Sequence, residues 1–319
     1  MTIVTDTLKQ LSGLSKPRRK FVAALIATIL AVRGRVNYRN LARYGEYSER
    51  TYARQFAQSF PWLNYHAQVI QRTLPASHRR ILVQDASFIS KSGKHTFGLD
   101  WFYNGCASRA ERGLEIHACA VVDLTQKGAY VAAVAQTPAM PELKKDDAEK
   151  TRLDFALQQV QTVQLHLAAD IQYLAADGAF ANKKYADGVV AAGLQLVTKL
   201  RTDANMRFRF TGPRTGKKGR PKVYDGKVNW QDLSRFETVD LTDFDFDAGV
   251  EGFTAELYHC SIKRWLRVVV LVWYTADGKR HHAIFATTDL KCTAPAVLEM
   301  YQARFQIEFL FRTASNSPV

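Results

Sequence analysis

Between Arg80 and Lys199 the chain changes texture in an order that few folds accommodate, and this order constrains it more than any single motif. Four strand-like segments come first: Ile81 to Val83, Thr96 to Phe102, Leu114 to Val122 and Tyr130 to Val134, separated by Gly- and charge-containing turns. Short turns between consecutive strands predict an antiparallel meander. A helix is predicted next, from about Lys144 to Leu167, because Leu153, Ala156, Leu157, Val160, Val163 and Leu167 recur on one face. An apolar strand, Ile171 to Ala175, a helix near Asn182 to Ala192 and a strand, Gln195 to Lys199, complete the run. Alternation of strand and helix after a meander predicts an α/β chain with a mixed sheet.

That succession is the one of a ribonuclease-H-like fold, in which helices flank a mixed sheet. Residues 201–289 depart from alternation. A basic loop punctuated by Gly and Pro, Gly212 to Lys222, is followed by strand-like runs Phe253 to Ile262, Leu266 to Tyr274 and His281 to Ala286. We expect a β-rich insertion there, dividing the core into residues 79–200 and a helix in 290–319, predicted from about Ala294 to Arg312. Residues 1–78 are expected to form an N-terminal helical domain. Within it Asn37 and Ser48 can each cap a short helix on either side of Gly45. Asn37 to Phe56 therefore reads as a helix-turn-helix whose second helix offers Arg50 and Arg54 to DNA.

With 47% apolar residues in 319, the chain can fill a real core and is not a disordered tail. Lys and Arg number 44 against 30 Asp and Glu, a formal net charge of +14 that favours a polyanionic partner, nucleic acid first. Cys106, Cys119, Cys260 and Cys292 are scattered without a C-x-x-C pair, so they read as reduced core thiols and not as zinc ligands. The longest apolar run, Phe21 to Val32, is too short to span a bilayer, and no small-residue cleavage site follows it. No membrane association is expected.

Three acids stand where apolar segments would deliver them to one place. Asp85 follows Ile81-Leu82-Val83-Gln84, Asp177 follows Ile171 to Ala176, and Glu308 lies within Gln306-Ile307-Glu308-Phe309-Leu310-Phe311. Taken singly, an Asp at a strand end is more often a turn residue than a ligand. A glutamate flanked by Ile and Phe is costly to bury unless it is paired or bound to a cation. Tyr301, Arg304, Glu308 and Arg312 are spaced three, four and four apart, which predicts one polar stripe down an apolar helix. Three carboxylates close together repel one another, whereas magnesium neutralises them and accepts all-oxygen ligation. Two such ions ~4 Å apart can activate a water and stabilise the leaving oxygen of a phosphodiester.

Several segments resemble transposases of bacterial insertion sequences of the IS-four type. They are Gln84-Asp85-Ala86-Ser87-Phe88, Lys91 to Asp100, Gly113-Leu114-Glu115-Ile116, Gln136-Thr137-Pro138, Ala176-Asp177-Gly178-Ala179-Phe180 and Gly219-Arg220-Pro221-Lys222. The most specific is Tyr301-x2-Arg304-x3-Glu308, which matches the first three positions of that family's Tyr-Arg-Glu-Lys signature. The resemblance covers about residues 80 to 312. It implies a three-carboxylate (DDE) transposase in which Asp85, Asp177 and Glu308 hold two Mg²⁺ or Mn²⁺ ions, with Tyr301 and Arg304 on a phosphate near the cleavage point. The implied partner is double-stranded DNA, element ends and target, gripped by a homodimer in the bacterial cytoplasm at the nucleoid.

Further DNA contacts are expected from Lys94 and His95 just beyond Asp85, and from Arg214, Lys217, Lys218, Arg220 and Lys222 of the basic loop, as a clamp on the backbone. The family's lysine falls at position 315, where this chain has Ser315, and the ending Thr313 to Val319 is small and polar. A truncated C-terminus is the expectation that follows, and it bears on activity.

Overall fold

The structure, a computed structural model, describes residues 2–315 apart from 94, 146, 168–169, 214–220 and 248, with side chains to residue 312. The chain opens with α1 (Thr2–Gln10), α2 (Lys16–Ala31), α3 (Tyr38–Tyr44), α4 (Glu49–Phe56) and α5 (Trp62–Thr73). Small polar residues start three of them: Ser15, Asn37 and Ser48 each accept a backbone N–H three residues on, which satisfies a donor the helix itself leaves open. Gly45 ends α3 because nothing larger fits. A Cβ there would lie 2.1 Å from the Tyr52 hydroxyl and 2.8 Å from the Leu41 carbonyl. Leu8, Phe21, Leu25, Leu41 and Tyr52 form the core of this bundle.

The sheet starts with β1 (Arg80–Ser90), β2 (Asp100–Asn104), β3 (Arg109–Asp123) and β4 (Gly128–Gln136). β3 runs antiparallel along the whole of β1, from Asp123 opposite Arg80 to Gly113 opposite Ser90. β2 and β4 divide the far edge of β3 between them. After α6 (Met140–Leu143) and α7 (Arg152–Gln164), β5 (Tyr173–Ala176) lies parallel to β1. β6 (Gln195–Leu200) lies parallel to β5 after α8 (Lys183–Ala191). An antiparallel meander extended by parallel strands through helical crossovers is the ribonuclease-H-like arrangement, with helices on both faces of the sheet.

Period-two alternation builds two cores from one sheet. Leu82, Leu174 and Leu196 point to the side covered by α5, α7 and α8, where Ile70, Val160, Val163, Tyr185 and Val189 meet them. Ile81, Val83 and Val122 point to the other side, toward α9 (Ala294–Ala303) and α10 (Gln306–Ser315), where they meet Leu298, Tyr301 and Ile307. Each of these buried Leu, Ile and Val side chains contributes roughly 1.5–3 kcal/mol relative to exposure.

Several boundaries differ from the sequence reading. The second strand begins at Asp100, not Thr96, because Gly98 turns at φ 74°. The helix expected from Lys144 begins at Arg152, where Thr151 and Asp154 close a capping box. Residues 201–289 are β-rich, but their strands do not stand apart. β7 (Met206–Arg209), β8 (Tyr224–Lys227), β9 (Glu237–Val239), β10 (Glu251–His259), β11 (Arg264–Tyr274) and β12 (Arg280–Thr287) join the same sheet, β12 pairing antiparallel with β6. Their apolar residues enter both cores, Val268 and Val270 one and Val269 and Leu271 the other. Of the cysteines, Cys119 and Cys292 are buried, whereas Cys106 is exposed and no core thiol. Among the described residues no helix is long and apolar enough to cross a membrane.

Candidate active site

Asp85 is the sixth residue of β1 and faces the α9–α10 side, one residue beyond Gln84, which faces the other. Asp177 ends β5, on the strand hydrogen-bonded beside β1, and its carbonyl starts the 3₁₀ turn Gly178–Phe180. Because β1 and β5 are parallel and Gln84 lies opposite Ala176, Asp85 in the middle of β1 comes level with Asp177 just past the end of β5. Glu308 arrives from the far end of the chain, in the first turn of α10.

The helix predicted through Arg312 is in fact broken. Arg304 and Phe305 separate α9 from α10, and the bonds across the break run to the third residue back: Arg304 N–H to Tyr301 O, Ile307 N–H to Arg304 O and Glu308 N–H to Phe305 O. The single polar stripe expected down one helix is therefore split. This tighter winding buries Ile307 and swings Arg304 inward. Arg304 Nη1 donates to Asp85 Oδ2 at 3.0 Å and Nη2 to Glu308 Oε1 at 3.4 Å. Its guanidinium also lies 4.5 Å from the centre of the Phe305 ring. Tyr301 packs on Phe285 and donates its hydroxyl to Asp177 Oδ1 at 3.3 Å.

The charge that is buried is not the one the sequence pointed to. Glu308 keeps 39% of its side chain exposed, whereas Arg304 keeps 7%. Burial pushes the Asp85 carboxyl above the ordinary range. Arg304 and the Ala86 N–H oppose this, and the charges of Asp177 and Glu308 add to it. Burial alone would lower the Arg304 pKa, but Asp85, Tyr301, Asp177 and Glu308 together raise it. Burial also pushes the Tyr301 hydroxyl up to about 12, so it acts as a donor.

Among the described residues no three acid, His or Cys side chains are gathered at metal-ligand distance. Asp85 and Glu308 instead face each other across Arg304. The donor set is nevertheless one a hard divalent ion accepts: three carboxylates with no sulfur or nitrogen ligand. The place already demands positive charge, and Arg304 meets that demand incompletely, its buried Nε donating to nothing among the described residues. The residues thus fit a divalent cation on condition that Arg304 turns aside.

The remaining sites fare unequally. Arg50 and Arg54 are exposed on α4. His95 is exposed in the loop after β1. Lys222 is exposed but already engaged, with its Nζ 3.0 Å from Asp225 and 4.5 Å from the centre of the Phe210 ring. Lys94, Arg214, Lys217, Lys218 and Arg220 lie outside the described residues, as do the side chains from Thr313 onward that bear on the expected truncation. Sequence reading missed the support beneath Asp85. Gln84 is fully buried, its amide donating to Ala156 O and Gln159 Oε1 while its carbonyl accepts from the Tyr185 hydroxyl. Gln159 in turn donates to His117 O. A polar residue at an inward position of an apolar strand was the signal that could have found it.

A ribonuclease-H-like sheet with level acids on adjacent strands and a third on a covering helix defines a nuclease of the three-carboxylate class. The chain belongs to the DDE superfamily endonucleases: the family model of that description matches residues 9–245. The match spans Asp85 and Asp177 and ends before α9. Endonucleases of this superfamily generally use divalent metal ions and act on DNA. No curated protein matches the chain.

Proposed function

We propose that the chain is a cut-and-paste transposase of the IS-four type, cleaving the phosphodiester at the ends of its element and joining the freed 3′ hydroxyl to target DNA. One observation carries the reading. Three segments, β1, β5 and the α9–α10 break, converge so that Tyr301 reaches Asp177 and Arg304 reaches both Asp85 and Glu308.

Asp85, Asp177 and Glu308 would hold two Mg²⁺ or Mn²⁺ ions. Bound there, the metal supplies the positive charge that activates a water or 3′ hydroxyl and stabilises the leaving oxygen. Arg304, released from Asp85 and Glu308, would have its two Nη groups free for a phosphate oxygen pair, which a guanidinium fork matches bidentately. Tyr301, protonated throughout the neutral range, can donate to the same phosphate. Arg50 and Arg54, exposed on α4, would contact duplex DNA, and a homodimer on bacterial DNA would bring two element ends together.

The test is metal-dependent cleavage and joining of a labelled DNA carrying the element's own ends, comparing the chain with Glu308→Gln. Cleavage and joining in the former and neither in the latter is the expected result. Cutting without end specificity or joined products would reduce the chain to a nuclease. DNA binding without cutting in either protein would leave a binding remnant.

A further inference from the structure

The sheet face that carries Asp85 does not stop at the acids. Opposite residues of antiparallel strands share a face, so the register can be followed outward. Asp85 lies opposite Ala118 of β3, and six residues back along β3 Arg112 lies opposite Trp101 of β2. Six is even, so Arg112, Trp101 and, two residues on, Tyr103 look out from the same side as Asp85. Trp101 is 62% and Tyr103 63% exposed, while Phe102 between them is fully buried on the other side. Two large aromatic side chains held flat and open on a sheet are unusual, since neither completes a core.

The strand that presents them is pinned from behind. Arg152, in the first turn of α7, donates to the Trp101 carbonyl at 2.9 Å and to Asp100 Oδ2 at 2.8 Å, and its guanidinium covers the Phe102 ring at 4.0 Å. Asp100 Oδ2 also accepts the Met140 N–H at 2.8 Å. These bonds fix β2, at the end of the sheet, more firmly than a solvated hairpin requires.

We propose that Trp101, Tyr103 and Arg112 form a binding platform for unpaired DNA. The chemistry is that of a sheet surface whose aromatic rings stack on bases while a cation meets the backbone. Lys91, exposed where β1 ends, adds positive charge, and no carboxylate of β2 or the facing part of β3 shares this face. The chemistry selects the strand state, because a ring stacks only on a base whose face is open, as in an unpaired strand and not inside a stacked duplex. The platform lies roughly 20 Å from Asp85, six residues at ~3.3 Å along β3. The inference rests on the proposed function only for the source of the strand, an end frayed by cleavage at Asp85.

The experiment measures fluorescence anisotropy of a labelled oligo-dT and of a hairpin duplex of equal length, in EDTA so that nothing is cut. Wild type, Trp101→Ala with Tyr103→Ala, Trp101→Phe and Arg112→Gln are compared. The double variant is expected to bind oligo-dT ten- to a hundred-fold more weakly and the duplex within about two-fold of wild type. Trp101→Phe should retain most of the affinity, and Arg112→Gln should reduce the dependence of log K on log salt by about 0.7. Unchanged oligo-dT binding in the double variant, or equal losses for oligo-dT and duplex, overturns the inference. So does a change in the sedimentation of the DNA-free protein, which would mark the rings as a contact between two copies. Because binding is read without metal, a chain that binds oligo-dT as expected but never cleaves overturns the proposed function and leaves the platform standing.

Discussion

Gln84 and Asp85 are neighbours on β1 and look in opposite directions, and the two sides of the sheet they serve are finished to different degrees. Behind the strand, Gln84, Gln159 and Tyr185 use one another and the carbonyls of Ala156 and His117, so the amide and hydroxyl groups of these three side chains are matched. In front, Asp85 and Glu308 share one buried guanidinium whose Nε has no partner among the described residues, and among them the Asp177 carboxylate has only the Tyr301 hydroxyl beside it. A closed network rigidifies, and an incomplete one of like charges is set up to take in a further group. The difference separates scaffold from site without reference to any motif.

The largest expected effect lies on the open side. Asp177→Asn keeps the size of the side chain and its hydrogen bond to Tyr301 but removes a charge, so metal-dependent cleavage should fall roughly a thousand-fold or more. Metal-free DNA binding and the denaturant midpoint should barely move. A loss of cleavage matched by a loss of folding would mean that Asp177 belongs to the scaffold.

Next is Arg304→Gln, which leaves Asp85 and Glu308 without their cation. Removing one partner of a buried pair costs about 3–5 kcal/mol, at the low end here because Asp85 can take up a proton. Millimolar Mg²⁺ should restore more stability to Arg304→Gln than it adds to wild type, since the ion no longer competes with the guanidinium. Thermal melts with and without Mg²⁺ read this directly. Equal shifts in both proteins would show that Arg304 does not stand where a metal would.

How much of this was legible beforehand follows the range of the forces involved. Asp85 lies inside a strand that continues to Ser90, whereas the succession of strands and the acid after β5 could be read because periodicity and turn residues act locally. The arginine could not. Sequence spacing placed Tyr301, Arg304 and Glu308 on one continuous helix and pointed to a buried glutamate, but the turn at Arg304 tightens and the guanidinium goes inward. That choice depends on Asp85, 219 residues away, which no local pattern encodes. The union of β12 with β6 is hidden for the same reason: strand pairing is decided between segments about 85 residues apart, so the sequence shows a β-rich insertion between two pieces of the core without showing which strand it pairs with. Trp101 falls in a segment that reads as an ordinary strand, Thr96 to Phe102, and Tyr103 just beyond it. Only the register with β3 shows that they share a face with Asp85.

On the closed side, Gln84→Leu should cost about 2 kcal/mol, because Tyr185 and Gln159 are left buried without their partner. Changing Gln84 and Tyr185 together to Leu and Phe should cost less than the sum of the two single changes, which urea titration of all three variants can measure. A cost that is simply additive would mean that the network is not the unit described here.

The smallest effect discriminates most finely between the two sides. Burial raises the Asp85 carboxyl above its unfolded value even with Arg304 beside it, so the folded state favours the protonated form. Stability from that group is fully present below the unfolded value of about 3.9 and is lost as pH rises through the raised folded value. Wild type should therefore lose stability relative to Asp85→Asn as pH increases from about 4 toward neutrality, without metal. Carboxylates remote from Asp85 are common to both proteins and cancel in the difference, which therefore reports Asp85 together with its coupling to Asp177, Glu308 and Arg304. A difference that instead grew in favour of wild type with rising pH would mean that the Arg304 pair outweighs burial. The front of the sheet would then be as complete as the back.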